Sequence, residues 1–309
     1  MPRQEEVEIT MAPSDVILPT ERPHELPVVR TITFADLRDA LAKGLDDFWA
    51  MPTHVIFLSL IYPIIGIALA SATFDYDVVP LLFPLAAGFA LIGPFAAIGL
   101  YELSRRRELG LDTSWRHAFD IIHSPSIWSI AALGLLLLAI FAVWLAVANA
   151  IYVANFGTEA PTTPATFARN VLTTPAGQRL IIIGNAVGFL FAVVAFTLSV
   201  VSFPLLLDRH TGAAVAIITS IRAVLANPLP MAAWALFVAG ALVIGSLPFL
   251  IGLALVMPVL GHSTWHLYRK VVEPDTSPRP EFHPRPKGRR YGADLPVSLF
   301  VPSKPEDRI

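Results

Sequence analysis

The stretch Ile127 to Ile151, IWSIAALGLLLLAIFAVWLAVANAI, decides the fold. Its 25 residues hold no Asp, Glu, Lys or Arg, and a helix needs about 20 apolar residues to cross roughly 30 Å of hydrocarbon. We read it as a membrane-spanning helix. Moving outward, four further apolar stretches follow the same rule: Val55 to Thr73, Val78 to Tyr101, Leu180 to Leu207 and Leu229 to Leu267. The last covers 39 residues, which as one helix at about 1.5 Å per residue would be close to twice the hydrocarbon thickness. Gly245-Ser246-Leu247-Pro248 supplies the fold-back, since glycine relaxes the backbone and proline removes a donor.

The sequence therefore predicts an all-α polytopic membrane protein with six transmembrane helices, at about 55–73, 78–101, 127–151, 180–207, 229–247 and 249–267. Composition agrees. Hydrophobic residues make up 55% and charged residues 15%, against about a quarter charged in soluble domains, and mean hydropathy is +0.63. Cysteine is absent, which removes disulfides and thiolate metal sites.

An amphipathic segment and a proline precede the first, third and fifth spans. Before Pro52, Phe34, Leu37, Leu41, Leu45 and Phe48 recur at helical spacing behind a Thr33/Asp36 capping box. Before Pro125 stand Trp115, Ala118, Phe119 and Ile122, and before Pro228 stand Ala214, Ile217, Ile218, Ile221 and Leu225. These predict helices at about 33–50, 114–123 and 212–226, lying in the cytoplasmic interface with the apolar face down. The first carries Asp36, Asp39, Asp46 and Asp47 against Arg38 and Lys43, so it is expected to pack on protein rather than on anionic lipid.

The second span of each pair carries Pro94, Pro204 or Pro258. Counting equally from the first and last of these reaches Tyr101, Leu103 and Arg105 in one copy and Trp265, Leu267 and Arg269 in the other. An aromatic residue followed by a basic pair reads as a cytoplasmic interface anchor. The spacing thus predicts three parallel two-span repeats related by an axis along the membrane normal.

Six spans place 20 of the 22 Lys and Arg residues on one side, leaving Arg169 and Arg179 opposite in a loop from Ala150 to Arg179. The positive-inside rule puts both termini in the cytoplasm. Residues 1–30 are expected to form a disordered arm, 31–271 the membrane domain, and 272–309 a disordered Pro-rich tail with the basic run Arg285 to Arg290. Glu5, Glu6 and Glu8 stand where a signal peptide would be basic, so the first span is expected to direct insertion.

Chemistry is sparse. Asn149, Asn185 and Ser202 are the candidates for an intramembrane polar site, with Gly184 and Gly188 on one helical face permitting close helix approach. Helix packing explains them at least as well. His262 and His266, four apart on a helix, face the same way and are candidate metal or haem ligands, with His54, His123 and His210 also on the cytoplasmic side. No third ligand accompanies the pair in sequence, and rings such as His266 and Trp265 suit the headgroup level, so no metal or cofactor is expected. No phosphate loop, serine elbow or zincin motif occurs.

The run Pro258-Val259-Leu260-Gly261-His262-Ser263-Thr264-Trp265-His266-Leu267-Tyr268-Arg269, with Asn227-Pro228 before the fifth span and the Phe34 to Trp49 helix before the first, resembles a family of bacterial integral membrane proteins of unknown function. The resemblance covers Thr31 to Val271 and implies the inner membrane of a bacterium, chiefly a proteobacterium. It implies no activity. The expected role is a non-enzymatic scaffold or assembly partner, whose partners are lipid and other membrane proteins and not nucleic acid. The alternatives are a permease or channel for an uncharged or apolar solute, and an accessory protein of respiratory complexes.

Overall fold

The computed structural model describes residues 26–51, 80–81, 83–85, 93, 97–158, 163–209, 211–247 and 252–274. The first expected span, most of the second, and nearly all of both flanks lie outside the described residues. The described helices are α1 (Phe34–Ala50), α2 (Ile98–Glu108), a 3-10 helix (Trp115–His123), α3 (Ile127–Phe156), α4 (Pro164–Thr173), α5 (Pro175–Ser199), α6 (Ser202–Asp208), α7 (Ala213–Ala226), α8 (Pro228–Ser246) and α9 (Leu253–Val271). Among the described residues, three segments are long and apolar enough to cross a membrane: α3, the α5–α6 run and α8.

Boundaries follow local chemistry. Thr33 and Asp36 form the expected capping box at the start of α1. Asn227 ends α7, and Pro228 opens α8 at a position where its missing N–H costs nothing. The 229–267 stretch folds back as expected, into α8 and α9. Gly245 and Gly252 meet at the fold: a Cβ on Gly252 would sit 2.7 Å from the Gly245 carbonyl oxygen, so only glycine fits.

The loop expected from Ala150 to Arg179 is instead mostly helical. α3 continues to Phe156, α4 occupies Pro164–Thr173, and α5 starts at Pro175. The signals are two Thr-Pro pairs. Thr163 accepts from the Thr166 N–H and Thr174 from the Gly177 N–H, each followed by proline in the first helical turn.

The amphipathic segments are oriented differently from their sequence reading. In α1 the buried face is Leu37, Ala40, Gly44, Asp47 and Phe48, while Phe34, Leu45 and Trp49 are exposed. In α7 it is Ala216, Thr219, Ser220 and Ala223, with Ile218 and Leu225 exposed. Small residues face inward because they let two backbones approach closely, and apolar chains can face outward where lipid is the solvent. The 114–123 segment is a 3-10 helix whose one buried residue is Ala118.

Each segment packs on a different partner. α1 lies along α9, the 3-10 helix on α2, and α7 on α5 and α6. At the first contact Ser263 Oγ fills the place of a Gly44 Cβ, 2.0 Å from where it would be. At the second, a Cβ on Gly99 would stand 3.2 Å from that of Ala118. The third repairs a break. The helix is interrupted at Val200–Val201 ahead of Pro204, and Ser220 donates to the Thr197 carbonyl (2.7 Å) and accepts from the Val201 N–H (3.2 Å).

The N-terminal arm is structured from Leu26. Arg30 N–H donates to Val271 O (2.7 Å) and Glu273 N–H to Val28 O (3.0 Å), around an antiparallel bridge between Val29 and Val272. Asn227 clamps the same arm, accepting from the Ile32 N–H (2.7 Å) and donating to Arg30 O (3.0 Å).

Candidate functional site

The second half of α9 is where the described helices converge. Thirteen of its 19 residues are buried, against six of 30 in α3. From Gly261 onward its side chains reach α1, α2 and α6 in turn. Gly261 lets Leu100 approach, and a Cβ there would meet Leu100 Cδ1 at 2.6 Å. Trp265 Nε1–H donates to Glu108 (3.0 Å), Tyr268 O–H to Asp208 (2.7 Å), and Arg269 pairs with Glu108 at 2.9 Å. Lys270 reaches Asp39 of α1 at 2.8 Å and Asp36 at 3.5 Å.

At the centre lies Asp47, only 3% exposed. Its carboxylate receives His266 Nε2 (2.8 Å), Ser104 Oγ (2.5 Å) and the Arg107 guanidinium, which also holds Asp46 at 2.9 Å. Burial alone would raise the Asp47 pKa. The bonds from His266, Ser104 and Arg107 outweigh it and hold the group at about 2.

These partners fix the protons. An ionised Asp47 cannot donate, so Ser104 gives it the hydroxyl proton, and the Ser104 oxygen then accepts from His262 Nδ1 at 2.6 Å. His262 is thereby in the Nδ1–H form. Its Nε2 is buried with no hydrogen-bond partner among the described residues, as is Ser263 Oγ.

Serine, histidine and aspartate meet here, but in an order that does not activate a nucleophile. A hydrolase triad runs serine to histidine to carboxylate, so that the imidazole takes the serine proton. Here the hydroxyl lies between the other two and its proton is directed at a carboxylate held at about 2, a weak base. What the arrangement does is tie α1, α2 and α9 together by charge-assisted bonds, each worth roughly 1.5–3 kcal/mol where buried.

Of the residues singled out in the sequence, His262 and His266 do converge, on Asp47 and not on each other. Each presents one ring nitrogen to that network, and among the described residues no three His, Asp or Glu side chains are arranged to hold a metal ion. His123 is exposed, while His54 and His210 lie outside the described residues. Asn149, Asn185 and Ser202 are not brought together. Asn149 is exposed on α3, Asn185 donates to Ile181 of its own helix (2.7 Å), and Ser202 is buried on α6, donating to Leu198 O (2.6 Å) and Ala216 O (3.0 Å). Gly188 does permit close approach, to the Trp144 ring, whereas nothing lies within 4 Å of a Cβ on Gly184.

Tyr101 and Trp265, read as headgroup anchors, are 3% and 1% exposed. They are core residues, and the bases after them are ion-pair partners: Arg105 holds Glu102 at 2.7 Å and Arg269 holds Glu108 and Asp208. The correction has a physical reason. Arg105 finds its carboxylate three residues away on its own helix, while those of Arg269 come from α2 and α6, and a sequence does not show which helix supplies these. Asp47, Glu102, Ser104, Glu108 and Asp208 were the partners missed.

No curated protein and no solved structure matches the chain. The family match ends at Asp208, so the α9 segment on which the sequence resemblance rests most heavily stands outside it. Residues 82–208, from the expected second span through α6, match the family described as predicted integral membrane protein (DUF2189), a domain of unknown function.

Proposed function

We propose that this is a non-enzymatic scaffold or assembly partner of a bacterial inner membrane, with six spans in three tandem two-span units and both termini cytoplasmic. The observation that carries the scaffold reading is how the two kinds of surface are divided. Charged and polar groups at one end pair between the protein's own helices, with Asp47 and α9 at their centre. The spans turn long apolar faces outward: of the most apolar stretch, 22% is buried in α3 and 17% in α8. Leu135, Leu236 and Ile244 are each more than 60% exposed. A helix that keeps such a face clear of the other described residues has it ready for lipid or for another span.

Two registers support the repeat. Ala40 and Ala216, Gly44 and Ser220, Asp47 and Ala223, and Met51 and Asn227 stand at equal distances before Pro52 and Pro228, and all eight are buried. Gly99 and Ser263, each five residues after its proline, both meet an amphipathic segment. The contacts also run in order. The segment of the second unit packs on the second helix of the first, that of the third on the second, and α1 of the first on α9 of the third.

A photoreactive amino acid placed at Leu135, Leu236 or Ile244 in native membranes tests the scaffold reading. Discrete protein adducts at one or more of these sites are expected. Lipid adducts alone at all three, with a monomeric mass in native nanodiscs, would contradict it.

A further inference from the structure

A cavity of about 420 Å³ lies between α3, α4 and α5, away from the Asp47 network. Trp144, Ala148, Tyr152, Phe167, Gly184 and Asn185 are among its walls. It is held open by construction. Trp144 is fixed by its Nε1–H bond to Pro84 O (3.0 Å) and by the missing side chain of Gly188, and Tyr152, Phe156 and Phe167 form a ring cluster with centroids 5.5 to 6.2 Å apart. At Gly184, nothing among the described residues lies within 4 Å of where a Cβ would be.

An apolar cavity of this size does not hold water well and falls in the range of small-molecule sites. Two of its walls are segments apolar and long enough to cross a membrane, with α4 and Pro80, Phe83 and Pro84 completing the lining, so the molecule that meets it is one dissolved in the bilayer. Two cations adjoin wall residues in sequence. Arg169 follows the wall residue Ala168 and Arg179 precedes the wall residue Leu180. Both are exposed, and among the described residues neither pairs with a carboxylate, although Arg179 is steadied by Asn155 Oδ1 at 3.3 Å. By sequence they are the two basic residues on that side of the membrane.

We propose that the cavity binds one acyl chain of an anionic phospholipid whose phosphate is held by Arg169 and Arg179. The site is independent of the scaffold reading and stands or falls by itself.

The test uses the full-length protein in phosphatidylcholine nanodiscs containing a small fraction of phosphatidylglycerol with a diazirine in its acyl chain. Adducts are expected within residues 144–152, 167–171 and 180–185. The same tail on phosphatidylcholine, or as a free fatty acid, is expected to label these residues less. Arg169→Gln and Arg179→Gln should each reduce the phosphatidylglycerol preference about fivefold, the worth of one basic residue near an anionic headgroup. Gly184→Leu should abolish these adducts while labelling at the outward-facing Leu135 persists, a control for the fold. Wild-type protein unlabelled in these three segments would overturn the proposal, as would equal labelling by the phosphatidylcholine or fatty-acid probe.

Discussion

Asp47 shows how one side chain can organise an element. It sits one turn before the end of α1, and three donors from α2 and α9 converge on it. Asp47→Asn weakens the countercharge of Arg107 and the hydrogen bond to His266. We expect a loss of about 2–4 kcal/mol, read as a lower unfolding temperature in nanodiscs. The pH dependence follows from the same contacts. The folded group titrates at about 2 against an ordinary 3.8, so its contribution is fully present above about pH 4 and is lost as pH falls through about 2. That contribution is about 2 kcal/mol, and Asp47→Asn should flatten this part of the profile. An unchanged acid limb would count against the network.

Glycines separate two kinds of site at the same scale. A Cβ on Gly44 would meet the Ser263 backbone N at 2.5 Å, so Gly44→Ala should destabilise by about 1–3 kcal/mol. Gly184→Ala meets nothing and should be neutral or stabilise α5 by up to about 1 kcal/mol. Paired thermal melts distinguish the two. From sequence alone His262 and His266 were legible as a pair, and their partner was not. Asp47 reads there as one of four acids on an interfacial helix expected to pack on protein, because periodicity reports where a helix is apolar and not which neighbour carries the matching charge.

Among elements, the caps and the fold-back were readable because they are local. The Thr33/Asp36 box, the Asn227-Pro228 stop and the Gly245 break each depend on neighbours within a few residues. The Thr163-Pro164 and Thr174-Pro175 starts were equally local and were passed over in favour of a loop. The inward faces of α1 and α7 were not readable from a hydrophobic stripe, since close contact selects Ala, Gly and Ser, and lipid takes the larger chains. Asn227 has a long-range role that no pattern announces. It holds the arm at Ile32, 195 residues away in sequence. Asn227→Ala should speed hydrogen exchange at the Ile32 amide about tenfold or more, for a lost buried bond of about 1.5 kcal/mol. Unaltered protection there would show the arm to be held by the Val29–Val272 bridge instead.

For the whole molecule, apolar runs gave the class, and the alternation of Lys and Arg gave an orientation that awaits a topology reporter. A fusion after Ile309 should be active only as a cytoplasmic reporter. The closure of the chain adds a helix contact to the Val29–Val272 bridge. α1 lies along α9, so that the beginning of the membrane domain is tied to its end through Lys270, Asp39 and the Asp47 network. Because the chain has no cysteine, a designed pair reports this without background. With Asp39→Cys and Lys270→Cys combined, a short bismaleimide added to native membranes should join residues 39 and 270 within one chain, giving a faster-migrating monomer. If instead the pair stays unlinked or links only between chains, α1 does not close on its own α9 and the account fails.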